Sequence, residues 1–360
     1  MTFQGRSLMR LSCLSLLCIA LATPLAGQSA GSYRVIDLGS LKGGSSSANA
    51  INLAGQVVGN SGITHGTETF AFLWSQAGGM KKLGTLPGGE HSRAMNLNAA
   101  GDVVGVSNTA TSAHAFLWRS ITGMKDLGTL PGDNGSSAFA INSSGDVAGY
   151  SSGRHGMHAV VWIAGTPHSL GSLAGGRSSQ AYSINDSGMV AGVSSSSSGE
   201  HAFLWTRGSG MIDLGLLPGD SSSRATHVTQ SGQVVGSSRN GANARAFLWT
   251  RSGGMQNLGT LPTGKFAEAH DMNNLGLIVG SSDTLLGWRA FIWTSADGIQ
   301  DLNKLIPTSS DLVLTAAQSI NDRGQIIAIG VPKHDQTRDR MVDMDDENHA
   351  GPSHVYLLYK

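Results

Sequence analysis

The sequence predicts an all-β protein, a seven-bladed β-propeller of four-stranded antiparallel blades, with the ring closed by the N-terminal strand pairing in the last blade. Three observations carry this. A Trp-ended word returns at a fixed period, each period holds four strand-like words, and the words fall out of step at the two ends of the chain.

The Trp word reads FAFLW at Trp74, HAFLW at Trp118, HAVVW at Trp162, HAFLW at Trp205, RAFLW at Trp249 and RAFIW at Trp293, at spacings of 44, 44, 43, 44 and 44 residues. A constant period of this length means one supersecondary unit copied around or along an axis.

The second copy shows the unit's contents. SRAMNLN (92–98) is followed by a turn and GDVVGVS (101–107), then a polar loop and HAFLW (114–118), then a turn and GMKDLG (123–128), and TLPGD leads onward. Four strands of about six residues leave about five per connection, the proportions of antiparallel sheet with short loops. The turn after the first word begins at Asn52, Asn98, Asn142, Asn185, Asn273 and Asn321, each with Gly three residues on; Thr229 is the variant. Asn bonds its own downstream backbone and Gly accepts positive φ, so this is hairpin chemistry. Leu-Pro-Gly at Pro87, Pro131 and Pro218 is a second punctuator. HAFLW and VVG are apolar on successive residues, so both faces of these strands are covered, as in sheets stacked face to face.

Counting the words separates a ring from a stack. The hairpin occurs seven times, and the FLW word six times plus a degenerate HVYLL at 354–358. The DLG word also occurs seven times, but its first copy, RVIDLG (34–39), precedes every hairpin. The chain thus starts with a lone fourth strand and ends with three strands lacking a fourth. An overlap of that kind locks a ring; an open solenoid would need polar caps instead.

Residues 1–30 read as a secretory signal peptide: Arg6 and Arg10, an apolar run over 11–22 too short to span a membrane, then small residues. Residues 31–360 read as one propeller carrying a charged insertion at 331–353. Both cysteines, Cys13 and Cys18, fall in the signal, so the remainder holds no disulfide or thiolate site. The 24 basic and 24 acidic residues balance, which gives no nucleic-acid footprint. The expectation is a secreted monomer, extracellular or periplasmic, without a membrane span.

HAFLW, then GMxDLGTLPGG, then SxAxxINxxGxVVG resembles the HAF-repeat family of extracellular bacterial repeat proteins, over essentially all of 33–330. The seventh copy departs: HVYLL lacks the Trp, and Leu305-Ile306-Pro307 replaces Leu-Pro-Gly. The resemblance implies export and a propeller-like repeat. It implies no settled activity and no catalytic residues.

Candidate chemistry is sought where the copies disagree around the first strand, because what recurs is explained by packing. Most copies are bland there. Copy two carries Arg93 and Asn96, copy five Arg224 and His227, and copy six Glu268, His270 and Asp271. Arg93, Asn96 and Arg224 are the ligand-binding candidates, Arg being suited to carboxylates and phosphates. His227, His270, Asp271 and Glu268 are the acid–base candidates. The alternative is a polar channel lining satisfied by water.

The insertion lies on the loop face and contains Asp343, Asp345 and Glu347, a weak calcium candidate without the Gly and distal Glu of an EF-hand; otherwise it reads as a solvated loop, and no cofactor is expected. Gly-Tyr-Ser-Ser-Gly at 149–153 has the form Gly-x-Ser-x-Gly but lies where a strand runs into a loop, not at a strand-to-helix elbow. His114, His158 and His201 recur with the Trp word and read as blade-edge packing. The functional expectation is a non-enzymatic binding module, its glycan or protein ligand held on the loop face or in the central channel. The alternative is a polysaccharide lyase or glycoside hydrolase acting on an acidic polysaccharide.

Overall fold

Seven separate four-stranded antiparallel sheets make up the chain, a seven-bladed β-propeller. The structure is a computed structural model and describes Met1 and residues 33–41, 43–63, 68–241, 243–333 and 354–360. The signal-peptide reading of residues 1–30 falls outside the described residues, Met1 apart, as does the insertion over 334–353. In blades 1 to 6 the strands follow chain order; in blade 7 the order is 1-28-27-26, counted along the chain.

The closing strand, Arg34–Asp37, pairs with His354–Tyr359 with Arg34 opposite Tyr359 and Asp37 opposite Tyr356. It takes the place that the DLG strands hold elsewhere. His114 Nδ1 meets Asp126 at 2.8 Å and His201 Nδ1 meets Asp213 at 2.7 Å, across the third and fourth strands of one blade. His354 Nδ1 and Asp37, at 3.1 Å, repeat that pairing across the seam. The recurring His of the Trp word therefore holds the recurring Asp of the DLG word.

Core packing lies between blades, as the doubly apolar words require. The third strands bury a run of successive residues at their centres, and Phe72, Phe116, Phe203, Phe247 and Phe291 are fully buried. Serine stitches the blades together. Ser92, Ser136, Ser179 and Ser223 each accept the amide of a third-strand Ala in the preceding blade and donate to that blade's Gly carbonyl, at 2.6–3.0 Å. At the last junction, where Leu-Pro-Gly is replaced, a 3-10 turn forms over Leu302–Leu305, capped by Asp301.

A girdle of asparagines rings the hairpin end. Each Asn side-chain oxygen accepts backbone amides of its own turn, as Asn98 does from Ala100 and Asp102. Its amide group donates to the next blade's turn: Asn52 to the Asn98 carbonyl, Asn98 to Asn142, Asn142 to Asn185, Asn185 to Thr229, Asn273 to Asn321, and Asn321 back to Asn52. The ring lacks one link, because Thr229 has no amide to give Asn273. At that junction other groups bridge the blades: the Gln230 amide donates to Asn274 Oδ1 at 3.2 Å, and Thr226 Oγ1 donates to the Ala269 carbonyl at 2.8 Å.

Candidate functional site

The innermost strands are Gly43–Ile51, Ser92–Leu97, Gly135–Ile141, Ser179–Ile184, Ser222–Val228, Ala267–Met272 and Leu312–Ile320. Each is bulged at the same place. The register with the second strand slips by one residue after Ala48, Ala94, Ala138, Ala181, Ala225, Ala269 and Ala317. A bulge leaves one residue unpaired and turns its side chain aside. The extra residues are Asn49, Met95, Phe139, Tyr182, Thr226, His270 and Gln318, one from each blade, and all seven line a central cavity of about 650 Å³.

The second strand accommodates the bulge with glycine. A Cβ on Gly59, Gly105, Gly149, Gly192, Gly236 or Gly280 would lie 1.9–2.0 Å from a first-strand carbonyl oxygen. Blade 7 has Ala328 in that position, and its first strand carries a further register shift, between Leu314 and Ala316. In blades 1 to 6 the Gly of this second-strand word thus leaves room for the first-strand carbonyl at the bulge.

The cavity has two unlike walls. Met95, Phe139 and Tyr182 come from blades 2 to 4. The Phe139 and Tyr182 rings sit 5.2 Å apart, and the Arg224 guanidinium lies 5.3 Å from the Tyr182 ring centre. Burial raises the Tyr182 hydroxyl above its ordinary pKa, with Arg224 opposing, and the hydroxyl donates to Gln180 Oε1 at 2.7 Å. Thr226, His270, Gln318 and Asn49 come from blades 5, 6, 7 and 1. Asn49, Thr226 and His270 each donate to the carbonyl of the invariant Ala in the next blade, at 2.8–2.9 Å.

Blades 5, 6 and 7 also build a hydrogen-bonded row. His227 Nδ1 donates to Asp271 Oδ1 at 2.9 Å. Asp271 Oδ2 accepts from Ser319 Oγ at 2.7 Å and from the Ile320 amide at 2.9 Å. Burial alone would raise the Asp271 carboxyl; the charge and hydrogen bond of His227, with the Ile320 and Ser319 donors, outweigh it and hold the group below the usual carboxylate range. The bond fixes the imidazole tautomer and leaves Nε2 without a protein partner among the described residues. A cavity-lining imidazole held in this way can accept a proton or donate a hydrogen bond.

Of the residues singled out in the sequence, Asn96, Arg224, His227, His270 and Asp271 line this one cavity. Two do not. Glu268 is paired with Arg239, and Arg93 is exposed away from the cavity lining. Asp343, Asp345 and Glu347 lie outside the described residues, within which no group of three His, Cys, Asp or Glu is placed to hold a metal ion. Gly149–Gly153 runs within a strand, and Ser151 is buried with its hydroxyl donated to Asp133.

The search for charged and polar departures around the first strand missed Met95, Phe139 and Tyr182, which the bulge after each Ala turns into the cavity. Its signal was present: Asn, Met, Phe, Tyr, Thr, His and Gln, different in every copy.

Known structures share the architecture. The chain is similar to oligogalacturonate lyase in complex with manganese, at TM-score 0.52 and 10% identity, covering 91% of this chain and 96% of that one. It is similar to YCF48 bound to a D1 peptide, at TM-score 0.52 and 10% identity, covering 92% and 97%. TolB from Acinetobacter baumannii aligns at TM-score 0.48 and 12% identity; 67% of this chain is covered, and the chain spans only 61% of TolB's length. At such identities the likeness is one of fold. No protein-family model and no curated protein sequence matches the chain. Among the described residues no helix is long and apolar enough to cross a membrane.

Proposed function

We propose that this protein is a secreted, non-enzymatic binding module whose ligand occupies the central channel. One observation carries the reading: the position where all seven copies differ is the position the bulge turns into the cavity. A site in which a rigid repeat supplies the frame and the variable residues supply the surface is a binding site in form. The resemblance to HAF-repeat proteins supports export. The peptide-bound YCF48 structure and the lyase show that propellers of this size host both binding and chemistry, so the fold itself does not choose. The test is capture on glycan and peptide arrays by the wild type and by Gln318→Trp, which narrows the channel and removes the Gln318 amide. Capture by the wild type alone is expected; equal capture by both sinks the channel reading.

The His227–Asp271–Ser319 row favours a second reading, a lyase or hydrolase acting on an acidic polysaccharide. His227 Nε2 would move the proton. Incubation with uronic-acid polymers tests it: no new unsaturated or reducing ends, or full activity in a His227→Ala/His270→Ala double variant, rejects it.

A further inference from the structure

The cavity's hydrogen-bonding groups fall into two sets. Most are already engaged. The Asp271 carboxylate is held by His227, Ser319 and Ile320, and Asp322 at the hairpin mouth accepts from the Asn274 amide and side chain. Asn49, Thr226 and His270 each spend a donor on the neighbouring blade. The side chains of Asn96, Gln318 and Arg224 also line the cavity, and no protein hydrogen bond occupies them among the described residues. The carboxylates here are spoken for, while Arg224 keeps its donor fork, steadied by the Tyr182 ring beneath it. An exposed guanidinium lying over an aromatic ring at a cavity, its donors unspent, suits a carboxylate bound in two-point fashion.

Ring-shaped chemistry is suggested by the walls. Phe139 and Tyr182 offer half-buried aromatic surface on one side, and the Asn96 and Gln318 amides offer both donors and acceptors. An aromatic wall with one free amide beside it, Asn96, and another on the other wall, Gln318, matches a sugar, whose C–H face packs on rings while its hydroxyls take amide bonds. A purely aromatic acid would leave the amides unmatched, at the cost of desolvated polar groups.

We propose that the channel binds the carboxylated end of a uronic-acid oligosaccharide, its carboxylate on Arg224, its ring against Phe139 and Tyr182, and its hydroxyls on Asn96 and Gln318. This rests on the channel-binding reading and names its ligand class.

Isothermal titration of the purified protein with glucuronate, galacturonate and mannuronate trisaccharides, neutral maltotriose and phenylacetate tests both levels. At least one uronate is expected to bind about ten- to a hundredfold more tightly than maltotriose, the range of a charge-assisted contact. Arg224→Gln is expected to abolish that preference while the melting temperature stays put, and Tyr182→Ala to weaken every sugar. Equal binding of maltotriose, tighter binding of phenylacetate, a preference that survives Arg224→Gln, or no uronate binding at millimolar concentration overturns the uronate assignment and leaves the channel reading standing. Uronate binding untouched by Tyr182→Ala, Asn96→Ala and Gln318→Trp overturns the channel reading itself.

Discussion

The side-chain amide of Asn321 donates to the carbonyl oxygen of Asn52 at 2.9 Å, joining residues 269 apart in sequence. This bond closes the asparagine girdle at the blade 7–blade 1 junction, the same junction at which the N-terminal strand completes blade 7. Asn321→Ala removes it together with the turn bonds that Asn321 accepts from Arg323 and Gln325. A loss of about 2–3 kcal/mol is expected, since three hydrogen bonds go at once and the Asn52 carbonyl keeps only the Gly55 amide. Denaturant unfolding checks it, with Thr229→Ala, which forms no such link, as the weaker comparison.

The break at Thr229 predicts a gain. Thr229→Asn restores the missing donor opposite the Asn273 turn. About 1 kcal/mol of stabilisation is expected, seen as a higher melting temperature in calorimetry. An unchanged or lower value would mean that the Gln230–Asn274 and Thr226–Ala269 bridges already hold that junction in a geometry the amide cannot share.

Gly236→Ala would place a methyl carbon 2.0 Å from the Arg224 carbonyl oxygen. That contact is with backbone, so the strand must move, at a cost of about 3 kcal/mol. Ala328→Gly in blade 7 is expected to change stability by about 1 kcal/mol or less. The comparison, by urea titration of the two variants, tests the close first-strand carbonyl as the reason for glycine in blade 5. A mild Gly236→Ala would show that the pairing of first and second strands is soft.

Acid stability should depend on Asp271. Its folded carboxyl titrates below the ordinary value of 3.8, so its contribution is fully present above that value and is lost as pH falls through the lower folded one. Asp271→Asn is expected to cost about 2 kcal/mol at neutral pH, because an amide cannot accept from His227, Ser319 and Ile320 together. It should also flatten the acid limb of the stability curve. Thermal melts from pH 2 to 7 check both, and an acid limb identical in wild type and variant would exclude Asp271 as its source.

The ring was legible in the sequence because each of its determinants is local and repeated. The Trp word, the Asn-x-x-Gly turn and the early DLG copy specify strand number, hairpin and closure without any long-range information. The site was half legible. Arg224, His227, His270 and Asp271 stand out as charge on bland strands, and they share a cavity. Phe139 and Tyr182 do not stand out, since aromatic residues on an inner strand read as core. Only the one-residue slip after the Ala turns them to the channel, and a slip is a property of the pairing between two strands. Glu268 misleads for the opposite reason: its partner, Arg239, comes from the second strand of the preceding blade, a neighbour that one strand's pattern cannot name.

The bulge also separates inheritance from novelty. The residues before and after each extra residue are tied to register, glycine contact and girdle, whereas the extra residue itself carries none of the ladder's hydrogen bonds. Seven such positions, spread over the whole chain, converge on one cavity. Four of them, Met95, Phe139, Tyr182 and Gln318, make no bond to the next blade's Ala, so a gene of this kind can be recoded at those four codons with the frame left alone, and that part of the channel is a surface on which new specificities can be selected from libraries while the fold stays fixed.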